Sequence, residues 1–379
     1  MSTYPEVDFL YLNEQDMIDA GVEDMAGCID AMEEMLKLMK VGNYRMGGAN
    51  GNSHGCMVSF PAESPFPEMP KDGPDRRFMA MPAYLGGKFD MAGMKWYGSN
   101  AENRKKGLPR SVLMLTLNDK DTGAPVAYMS ANVLSAFRTG AVPGVGFKYF
   151  APKDTKTVGI IGPGVMSKTA LVAMMTVRPG IETVKIKGRG KASMDKYIAF
   201  IKNRYPSIKN IIPVDSVEEA TRDSDIVYSA TSSPTGDPSA YPYIKSDWIK
   251  PGAMLCTTAA LRFDDDFLIN KARTVTDNIK LYEAWEEEYA PHAYNTIPIP
   301  AVHAEDLIAE GKMSKDQIDD LGDVLMGKIP VHRQEGENVV YSVGGMPVED
   351  VAWGTIVYRN ALEKGIGTRL TLWDKPVLA

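Results

Sequence analysis

The chain has 379 residues, of which 44% are hydrophobic and 24% charged, and its formal net charge at pH 7 is −7. At roughly 100–200 residues per domain, this length predicts two or three domains, and the apolar content excludes disorder as the main character because enough surface can be buried to offset chain entropy. The mild acidity and the lack of a basic block argue against nucleic acid or an anionic membrane as the principal partner.

The cysteines and the N-terminal sequence predict a reducing, cytoplasmic location. Cys28, Cys56 and Cys256 are odd in number and far apart, which is not a disulfide framework. Residues 1–16 contain no basic region followed by an apolar one, and no run of about 18 apolar residues occurs anywhere. The four histidines are scattered without zinc-ligand spacing, so no metal site is predicted.

The first 150 residues predict a mixture of strands and helices. After a short strand at 9–12, residues 25–40 repeat apolar side chains at three- and four-residue spacing, which is typical of a helix with one buried face. Residues 47–77 are rich in Gly, Asn, Ser and Pro and predict a long loop. Three strand-like segments separated by glycine turns, 78–85, 91–97 and 111–119, indicate an antiparallel or mixed sheet. A helix should follow from about Ser130 to Phe150, with a kink or a break at Pro143.

From Thr155 the pattern changes to short β-rich runs that alternate with helical stretches of about ten residues. Such alternation indicates βαβ crossovers and a parallel sheet. The later segments, a predicted helix at 313–328, another at 348–365 and a final strand at 368–373, do not continue it. We therefore predict an α/β fold in which a Rossmann-type domain, residues 151–290, is inserted into an α+β domain formed by residues 1–150 and 291–379.

A glycine-rich turn joins the first strand of the predicted parallel sheet to its helix. Gly162 and Gly164 occupy the first two positions of G-x-G-x-x-G, and Ser167 replaces the third glycine. The first glycine permits a tight turn, and the second lets the backbone approach a pyrophosphate at the positive end of the helix. Because the motif follows a strand and opens a helix, it predicts a dinucleotide site.

The end of the second strand bears on the choice of coenzyme. NAD sites usually place an acidic residue there to bind the ribose hydroxyl, but this chain has Gly188-Arg189-Gly190-Lys191. Two cations and no carboxylate suit a 2′-phosphate, so Arg189 and Lys191 favour NADP, with NAD as the alternative. The alternative interpretation is that these two side chains are solvated loop charges.

Several motifs, taken in their order and spacing, resemble the ornithine cyclodeaminase and mu-crystallin family of nicotinamide-dependent enzymes. The motifs are Met81–Tyr84, Gly93–Trp96, Asn103, Gly107–Pro109, Thr122–Pro125, Arg138–Ala141 and Gly345–Asp350. The resemblance covers nearly the whole chain. It implies a homodimer whose discontinuous dimerisation and substrate domain surrounds a Rossmann domain.

The same resemblance implies roles for individual residues. Arg45, Lys95 and Arg138 would bind the α-carboxylate of the substrate, which suits a guanidinium fork and a mobile ammonium, and Lys95 would also transfer a proton. The cofactor would contact Ser111, Thr139, Gly164, Val165, Met166, Arg189, Ala230, Thr231, Val343 and Gly344, in addition to Gly162 and Lys191, which the glycine turn and the end of the second strand already indicate.

One position departs from the family pattern. Leu261 stands where cyclodeaminases and related alanine dehydrogenases carry an acid–base aspartate, so Asp264 or a substrate group would have to replace it. A simpler reaction, reduction of an imine, needs only a hydride, a carboxylate clamp and one proton donor. We therefore expect an NAD(P)-dependent oxidoreductase acting on the C–N bond of an amino acid or its imine. The alternatives are an ornithine cyclodeaminase-type lyase, a non-catalytic NADPH and small-ligand carrier, and a subunit of an amine-oxidising system.

Overall fold

In a computed structural model of the protein, residues 6–232 and 236–378 are described. The strands are β1 (Val7–Leu12), β2 (Tyr44–Met46), β3 (Cys56–Ser59), β4 (Arg77–Leu85), β5 (Met91–Ser99), β6 (Ser111–Asn118), β7 (Pro125–Ser130), β8 (Thr157–Ile161), β9 (Thr183–Lys187), β10 (Asn210–Pro213), β11 (Ile226–Ser229), β12 (Met254–Thr257), β13 (Ala272–Thr276), β14 (Ile318–Asp320), β15 (Asn338–Ser342) and β16 (Thr368–Trp373). The helices are α1 (Glu14–Asp19), α2 (Met25–Lys40), α3 (Asn132–Phe150), α4 (Val165–Val177), α5 (Lys191–Arg204), α6 (Val217–Thr221), α7 (Asp265–Asn270), α8 (Ile279–Tyr289), α9 (Pro300–Ala309), α10 (Leu321–Leu325) and α11 (Pro347–Lys364). Within these ranges, no helix has the length and apolarity needed to cross a membrane.

The described residues fold into two compact units. The first unit contains residues 6–24, 41–138 and 346–378 and is therefore built from both ends of the chain. The second unit contains residues 25–40 and 139–345, apart from 233–235. The prediction of an α/β fold with a Rossmann-type sheet and a separate mixed sheet is confirmed.

The first unit is a mixed sheet with a helix on one face. The strand order is β16-β1-β7-β6-β5-β4-β2, with β3 also paired to β4, and all the pairs except β1–β7 are antiparallel. Alternate residues of β4 and β5 are buried, as expected when one face of a sheet packs on a core. Helix α11 packs on that face, where Gly93 leaves room: a Cβ at this position would lie 3.3 Å from Cγ2 of Val351.

The second unit contains an entirely parallel sheet. Its order is β10-β9-β8-β11-β12-β15-β13-β14. From β8 the chain passes to β9 on one side, whereas β11 pairs with the other side of β8, and a switch of this kind leaves a crevice at the carboxyl ends of the strands. The central strands β11 and β12 are buried along their whole length, which is usual for parallel sheets covered on both faces.

The boundaries of the parallel-sheet domain differ from those predicted. Strands β14 and β15 lie beyond residue 290 but belong to the same sheet, and β15 sits between β12 and β13. Helix α2, predicted in the other domain, also groups with this unit. The predicted domain ends too early because the βαβ alternation that defines it stops near residue 290. Strand β15 comes from a distant segment but lies in the middle of the sheet.

Two predicted elements have a different form in the structure. The helix predicted over 313–328 is wrong: this segment contains a short 3-10 turn, the three-residue strand β14 and the five-residue helix α10. Helix α3 is not broken at Pro143 but continues to Phe150. The apolar side chains around this proline, Val142 and Val145 among them, are fully buried, so packing offsets the hydrogen bond that proline cannot donate.

Candidate active site

Lys95 lies in the middle of β5, on the sheet face that packs against α11. It pairs with Met81 of β4 and Leu115 of β6, and only 2% of its surface is exposed. The alternation of β5, in which every second residue is buried, places this lysine among apolar neighbours. A buried ammonium is costly unless it is paired, so its partners decide what it can do.

The partners of Lys95 form a buried network of charges. The ammonium Nζ donates to Oδ2 of Asp350 at 2.7 Å and to Oγ of Ser135 at 3.3 Å. Arg138 donates through Nε to the other oxygen of Asp350 at 3.0 Å, and through Nη1 to Oε2 of Glu349. Glu349 also accepts from the backbone N–H of Met346 at 2.8 Å, which closes the start of α11. Asp350 therefore bridges the two cations that the sequence predicted as substrate ligands.

The network and its burial shift the pKa values of Lys95 and Arg138. Burial, with the nearby charge of Arg138, lowers the pKa of Lys95 to about 8, although Asp350 opposes the change. Burial also acts against the charge of Arg138, but Asp350 and Glu349 outweigh it and raise the pKa of this guanidinium. Lys95 can therefore both hold and release a proton near neutral pH, whereas Arg138 remains a permanent cation.

The carboxylates lie deeper than the cations. Glu349 and Asp350 have no exposed surface, whereas Lys95 and Arg138 keep 2% and 5%. Asp350 and Glu349 hold the side chains of Lys95 and Arg138 in place through these hydrogen bonds. Sequence reasoning missed both of them, although two adjacent acidic residues in an otherwise apolar helical segment are a detectable signal.

Arg45 does not join this network. It lies on β2 and pairs with Tyr84 of β4, whereas Lys95 pairs with Met81 of the same strand. Tyr84 and Met81 are an odd number of residues apart. Because side chains alternate along strands, Arg45 is on the other face of the sheet, where it is exposed and donates to the backbone carbonyl of Gly42 at 3.1 Å. Of the three residues predicted to bind the substrate carboxylate, the structure brings together Lys95 and Arg138 and places Arg45 apart from them.

Ser111 begins β6 in the same unit. Its hydroxyl is 2.9 Å from that of Ser99, and its carbonyl accepts from Nδ2 of Asn132 at 2.8 Å. Asn132 is the first residue of α3, so these contacts fix the start of the helix that carries Arg138. Thr139 follows Arg138 on α3 and is the first residue that groups with the second unit.

In the second unit, the glycine turn has the geometry of a phosphate cradle. Gly162 has a φ of +89°, and a Cβ there would lie 2.6 Å from the carbonyl oxygen of Ala230. Gly164 is the N-cap of α4, and nothing lies within 4 Å of the position of its missing Cβ. Val165 and Met166 form the first turn of this helix, whose amides have no intrahelical partner. The buried hydroxyl of Ser167 donates to the carbonyl of Gly162 at 2.6 Å, so this serine closes the turn. The residues present fit a pyrophosphate.

Alanine substitutions at Gly162 and Gly164 should differ in their effects on stability and on dinucleotide binding. Gly162→Ala is expected to destabilise the fold by about 1–3 kcal/mol, since a side chain at this φ is strained, and to abolish dinucleotide binding. Gly164→Ala should leave the melting temperature unchanged and weaken binding roughly tenfold, because its methyl group occupies only the space that a pyrophosphate needs. Thermal melts and fluorescence titration with NADPH measure both quantities, and equal melting temperatures for the two variants would contradict this geometry.

The predicted ribose-phosphate ligands lie beyond β9. Arg189 is exposed and donates through Nη2 to the carbonyl of Ser232 at 3.1 Å. Lys191, also exposed, pairs with Asp195 one turn along α5 at 2.6 Å. Ala230 and Thr231 directly follow β11 and place their backbone at the carboxyl edge of the sheet. Arg189 is therefore hydrogen-bonded to the backbone near this edge, whereas Lys191 forms an ion pair with a residue of its own helix.

Val343 and Gly344 follow β15 at the same edge. The amide of Gly344 donates at 2.9 Å to Oδ2 of Asp277, a buried residue just after β13. The other oxygen of Asp277 accepts from the hydroxyl of Tyr282 at 3.0 Å. Burial raises the pKa of Asp277 to about 6, against the effect of these hydrogen bonds. Sequence reasoning did not identify Asp277, which anchors the segment predicted to contact the nicotinamide.

Asp264 has a local structural partner. It is the N-cap of α7 and accepts a hydrogen bond from the hydroxyl of Tyr243, while Leu261 is fully buried. Both residues belong to the second unit, and the catalytic role of Asp264 stays a prediction.

Comparison with known proteins identifies the family. The model of the ornithine cyclodeaminase/mu-crystallin family matches residues 22–365. The chain belongs to this family. The resemblance seen in the sequence motifs is thereby confirmed.

Several proteins that are similar to this chain are dehydrogenases or reductases, and others are named cyclodeaminases. The N-((2S)-2-amino-2-carboxyethyl)-L-glutamate dehydrogenase of Staphylococcus aureus is 27% identical over 97% of this chain and 99% of its own length. The alanine dehydrogenase of Archaeoglobus fulgidus is 29% identical over 77% of this chain and 82% of its own. Among solved structures, the Delta(1)-pyrroline-2-carboxylate reductase of Thermococcus litoralis, in complex with NADH and L-proline, matches with a TM-score of 0.74 and 25% identity over 95% of this chain and 99% of that one.

Proposed function

We propose that the chain is an NAD(P)-dependent oxidoreductase that reduces the C–N double bond of an imino acid to an amino acid. The observation that carries this proposal is the buried Lys95, which combines a pKa of about 8 with a position beside the permanent cation Arg138. The family and the names of its dehydrogenase and reductase members support the reaction class.

In the proposed reaction, Arg138 and Lys95 have different roles. Arg138 pairs with the α-carboxylate of the substrate and orients it, which a guanidinium does through two parallel hydrogen bonds. Lys95, mostly protonated at pH 7, supplies the proton that the reduced nitrogen gains. A nicotinamide cofactor, held at the turn of Gly162 and Gly164, would supply the hydride that the imine carbon gains. Leu261 at the place of the family's acid–base aspartate favours this one-proton reaction over ornithine cyclisation.

A panel assay tests the proposal. Oxidation of NADPH or NADH is followed with 2-oxo acids plus ammonium or amines, and with cyclic imino acids. Net oxidation of the reduced cofactor supports the reductase. Release of ammonia from ornithine without net change in cofactor redox state would instead identify a lyase, and tight cofactor binding without turnover of any compound would identify a carrier.

For the coenzyme, we propose a preference for NADP based on Arg189. The Arg189→Ala variant should weaken NADPH binding by about 10–100-fold, the value of one charge-assisted hydrogen bond of about 1.5–3 kcal/mol, and NADH binding much less. Lys191→Ala is the matched control, since Lys191 already pairs with Asp195, and it should change neither affinity by more than a fewfold. Fluorescence titration measures both affinities, and equal losses for NADPH and NADH in Arg189→Ala would remove the case for NADP.

We also propose a homodimer. Supporting this, the sheet face opposite α11 carries exposed aromatic rings, including Phe78, stacked on Trp96 at 5.7 Å, and Tyr11, stacked on Tyr128 at 6.4 Å. Apolar surface of this kind is usually covered. Light scattering on the purified chain measures its mass in solution.

A further inference from the structure

Asp277 is a buried carboxylate whose hydrogen bonds come from two separate segments of the second unit. It directly follows β13, and 1% of its surface is exposed. Its Oδ1 accepts from the amide of Asn278 and from the hydroxyl of Tyr282, each at 3.0 Å. Its Oδ2 accepts from the amides of Gly344 at 2.9 Å and Gly345 at 3.4 Å. Asp277 therefore joins the start of α8 to the chain that leaves β15.

Helix α8 also packs directly against the backbone of Gly344. A Cβ at this glycine would lie 2.5 Å from Cδ2 of Leu281 and 2.6 Å from Cη2 of Trp285, both on α8. Gly345 has a φ of +79°, a conformation that favours glycine. Because neither glycine has a side chain to anchor it, the hydrogen bonds to Asp277 fix the position of the two amides.

The two glycines lie at the carboxyl edge of the parallel sheet, in its second nucleotide-binding half. Strands β10-β9-β8-β11-β12-β15 follow the order 3-2-1-4-5-6 of sheets built from two mononucleotide-binding halves. The glycine turn after β8 opens the first half, and β15 is the sixth strand. Because the ribose of the adenosine half is bound at the end of the second strand, the nicotinamide half of a bound cofactor is expected on the side of β12 and β15.

The surroundings of Asp277 do not offset its burial with a positive charge. The ionisable groups on the elements around it are Tyr282 of α8, Cys256 of β12, Tyr341 of β15, and Asp320 of β14 with its partner Lys40. In the part of the chain that the structure describes, no cation pairs with Asp277. Burial therefore raises the pKa of Asp277 to about 6, although the hydrogen bonds from the glycine amides and from Tyr282 oppose the change.

We propose that Asp277 is a positioning residue for the nicotinamide half of the cofactor, and that its carboxylate form holds Gly344 and Gly345 in the geometry that binds the dinucleotide. A neutral carboxyl group is a weaker acceptor than a carboxylate, so protonation releases the two amides. Cofactor affinity therefore falls in mild acid. This inference rests on the dinucleotide site of the proposed function and adds to it a control of cofactor binding by pH.

The affinity for NAD⁺ measures this role. NAD⁺ is the suitable probe because it lacks the phosphomonoester of NADP⁺, whose own pKa of about 6 would overlap with that of Asp277. In titration calorimetry, the Kd of the wild type should rise about tenfold from pH 7.5 to pH 5, where about a tenth of Asp277 remains ionised. Asp277→Asn should bind NAD⁺ at pH 7.5 about as weakly as the wild type does at pH 5, and its Kd should not depend on pH.

Asp225 provides a matched control at the opposite edge of the same sheet. It is also a buried carboxylate, and it accepts from the amides of Lys156 at 2.8 Å and Thr157 at 2.9 Å. Asp225→Asn should lower the melting temperature, as Asp277→Asn does, but keep the wild-type Kd and its pH dependence. Tyr282→Phe removes a hydrogen bond that lowers the pKa of Asp277, so its loss of affinity should begin at a higher pH, which a merely structural role would not cause.

Hydrogen exchange of the unliganded protein measures the anchor without any cofactor. At one fixed pH of 7.5, the amides of Gly344 and Gly345 should exchange faster in Asp277→Asn than in the wild type and in Asp225→Asn. Faster exchange with an unchanged Kd for NAD⁺ would overturn the positioning role, and a wild-type Kd that does not change with pH would overturn the control by pH.

The outcome is separable from that of the imine reductase assay. If the binding results hold but no imine is reduced, the reductase is overturned and the role of Asp277 stands. If the wild type binds neither NAD⁺ nor NADP⁺, the dinucleotide site and the role of Asp277 are both overturned.

Discussion

The Lys95→Ala variant is expected to lose about 10²–10⁴-fold in kcat for imine reduction, the usual contribution of a positioned acid, while its affinity for NADPH stays at the wild-type value. The reason is that the proposed role of Lys95 is proton transfer to the substrate, whereas the predicted pyrophosphate site is the glycine turn of the other unit. The fold should survive, because Arg138 remains to pair with Asp350 at 3.0 Å. Stopped-flow absorbance and fluorescence titration measure the two quantities on the same preparation.

Two further variants test whether the loss of activity comes from the missing ammonium group of Lys95. Lys95→Met keeps much of the side-chain volume without the ammonium and should be as inactive as Lys95→Ala, which separates proton transfer from packing. Lys105→Ala removes a lysine that is 76% exposed and pairs only with Glu102 among the described residues, and it should match the wild type. Full activity of Lys95→Met would rule out Lys95 as the proton donor.

The Asp350→Asn variant should shift the pH dependence of the reaction. Reduction requires protonated Lys95, so the rate should fall as the pH rises through its pKa, about 8 in the wild type. Removing the charge of Asp350 leaves burial and Arg138, which both lower the pKa of Lys95, so the loss of rate should begin at a lower pH. The free energy of unfolding should also fall by about 3–5 kcal/mol, because two buried cations lose their shared carboxylate.

Glu349→Gln is the matched comparison for this variant. Glu349 pairs with Arg138, and its charge raises the pKa of Lys95 less than Asp350 does, so its loss should destabilise the fold but displace the pH profile less. Both variants should lose stability, so a larger shift of the pH profile in Asp350→Asn would measure the stronger effect of Asp350 on the pKa of Lys95. Profiles with identical midpoints for the wild type and Asp350→Asn would show that Asp350 has no such control.

The features that the sequence predicted depend on local patterns. The glycine turn, the strand at 91–97 and the helix at 25–40 with its buried face are each visible within a window of twenty residues or fewer. Asp350 was missed as the partner of Lys95 because 255 residues separate them, and only the packing of α11 on the sheet joins them. Arg45 was misplaced for a related reason: its face of the sheet depends on the pairing register between β2 and β4.

The strands β14 and β15 could not be placed in the sheet from the sequence, for a different reason. The residues of β14 are Ile-Asp-Asp, and acidic residues rarely favour strands, so nothing in that segment predicts one. It becomes a strand because the edge of β13 offers unpaired backbone groups beside it. Strand β15 has a clear β-type sequence, Asn-Val-Val-Tyr-Ser, but its central position in the sheet depends on long-range pairing with β12 and β13.

The pairing of β1 with β16 has a topological consequence. The first residue of β1, Val7, lies opposite the last residue of β16, Trp373, and paired Cα atoms in antiparallel strands are only about 4.5–5.5 Å apart. A linker of a few residues could therefore close the backbone into a ring without distorting either strand. In such a ring the segments 346–373 and 7–24 become one continuous stretch, and new chain ends can be opened in a surface turn such as 119–123, which makes this fold a suitable subject for circular permutation.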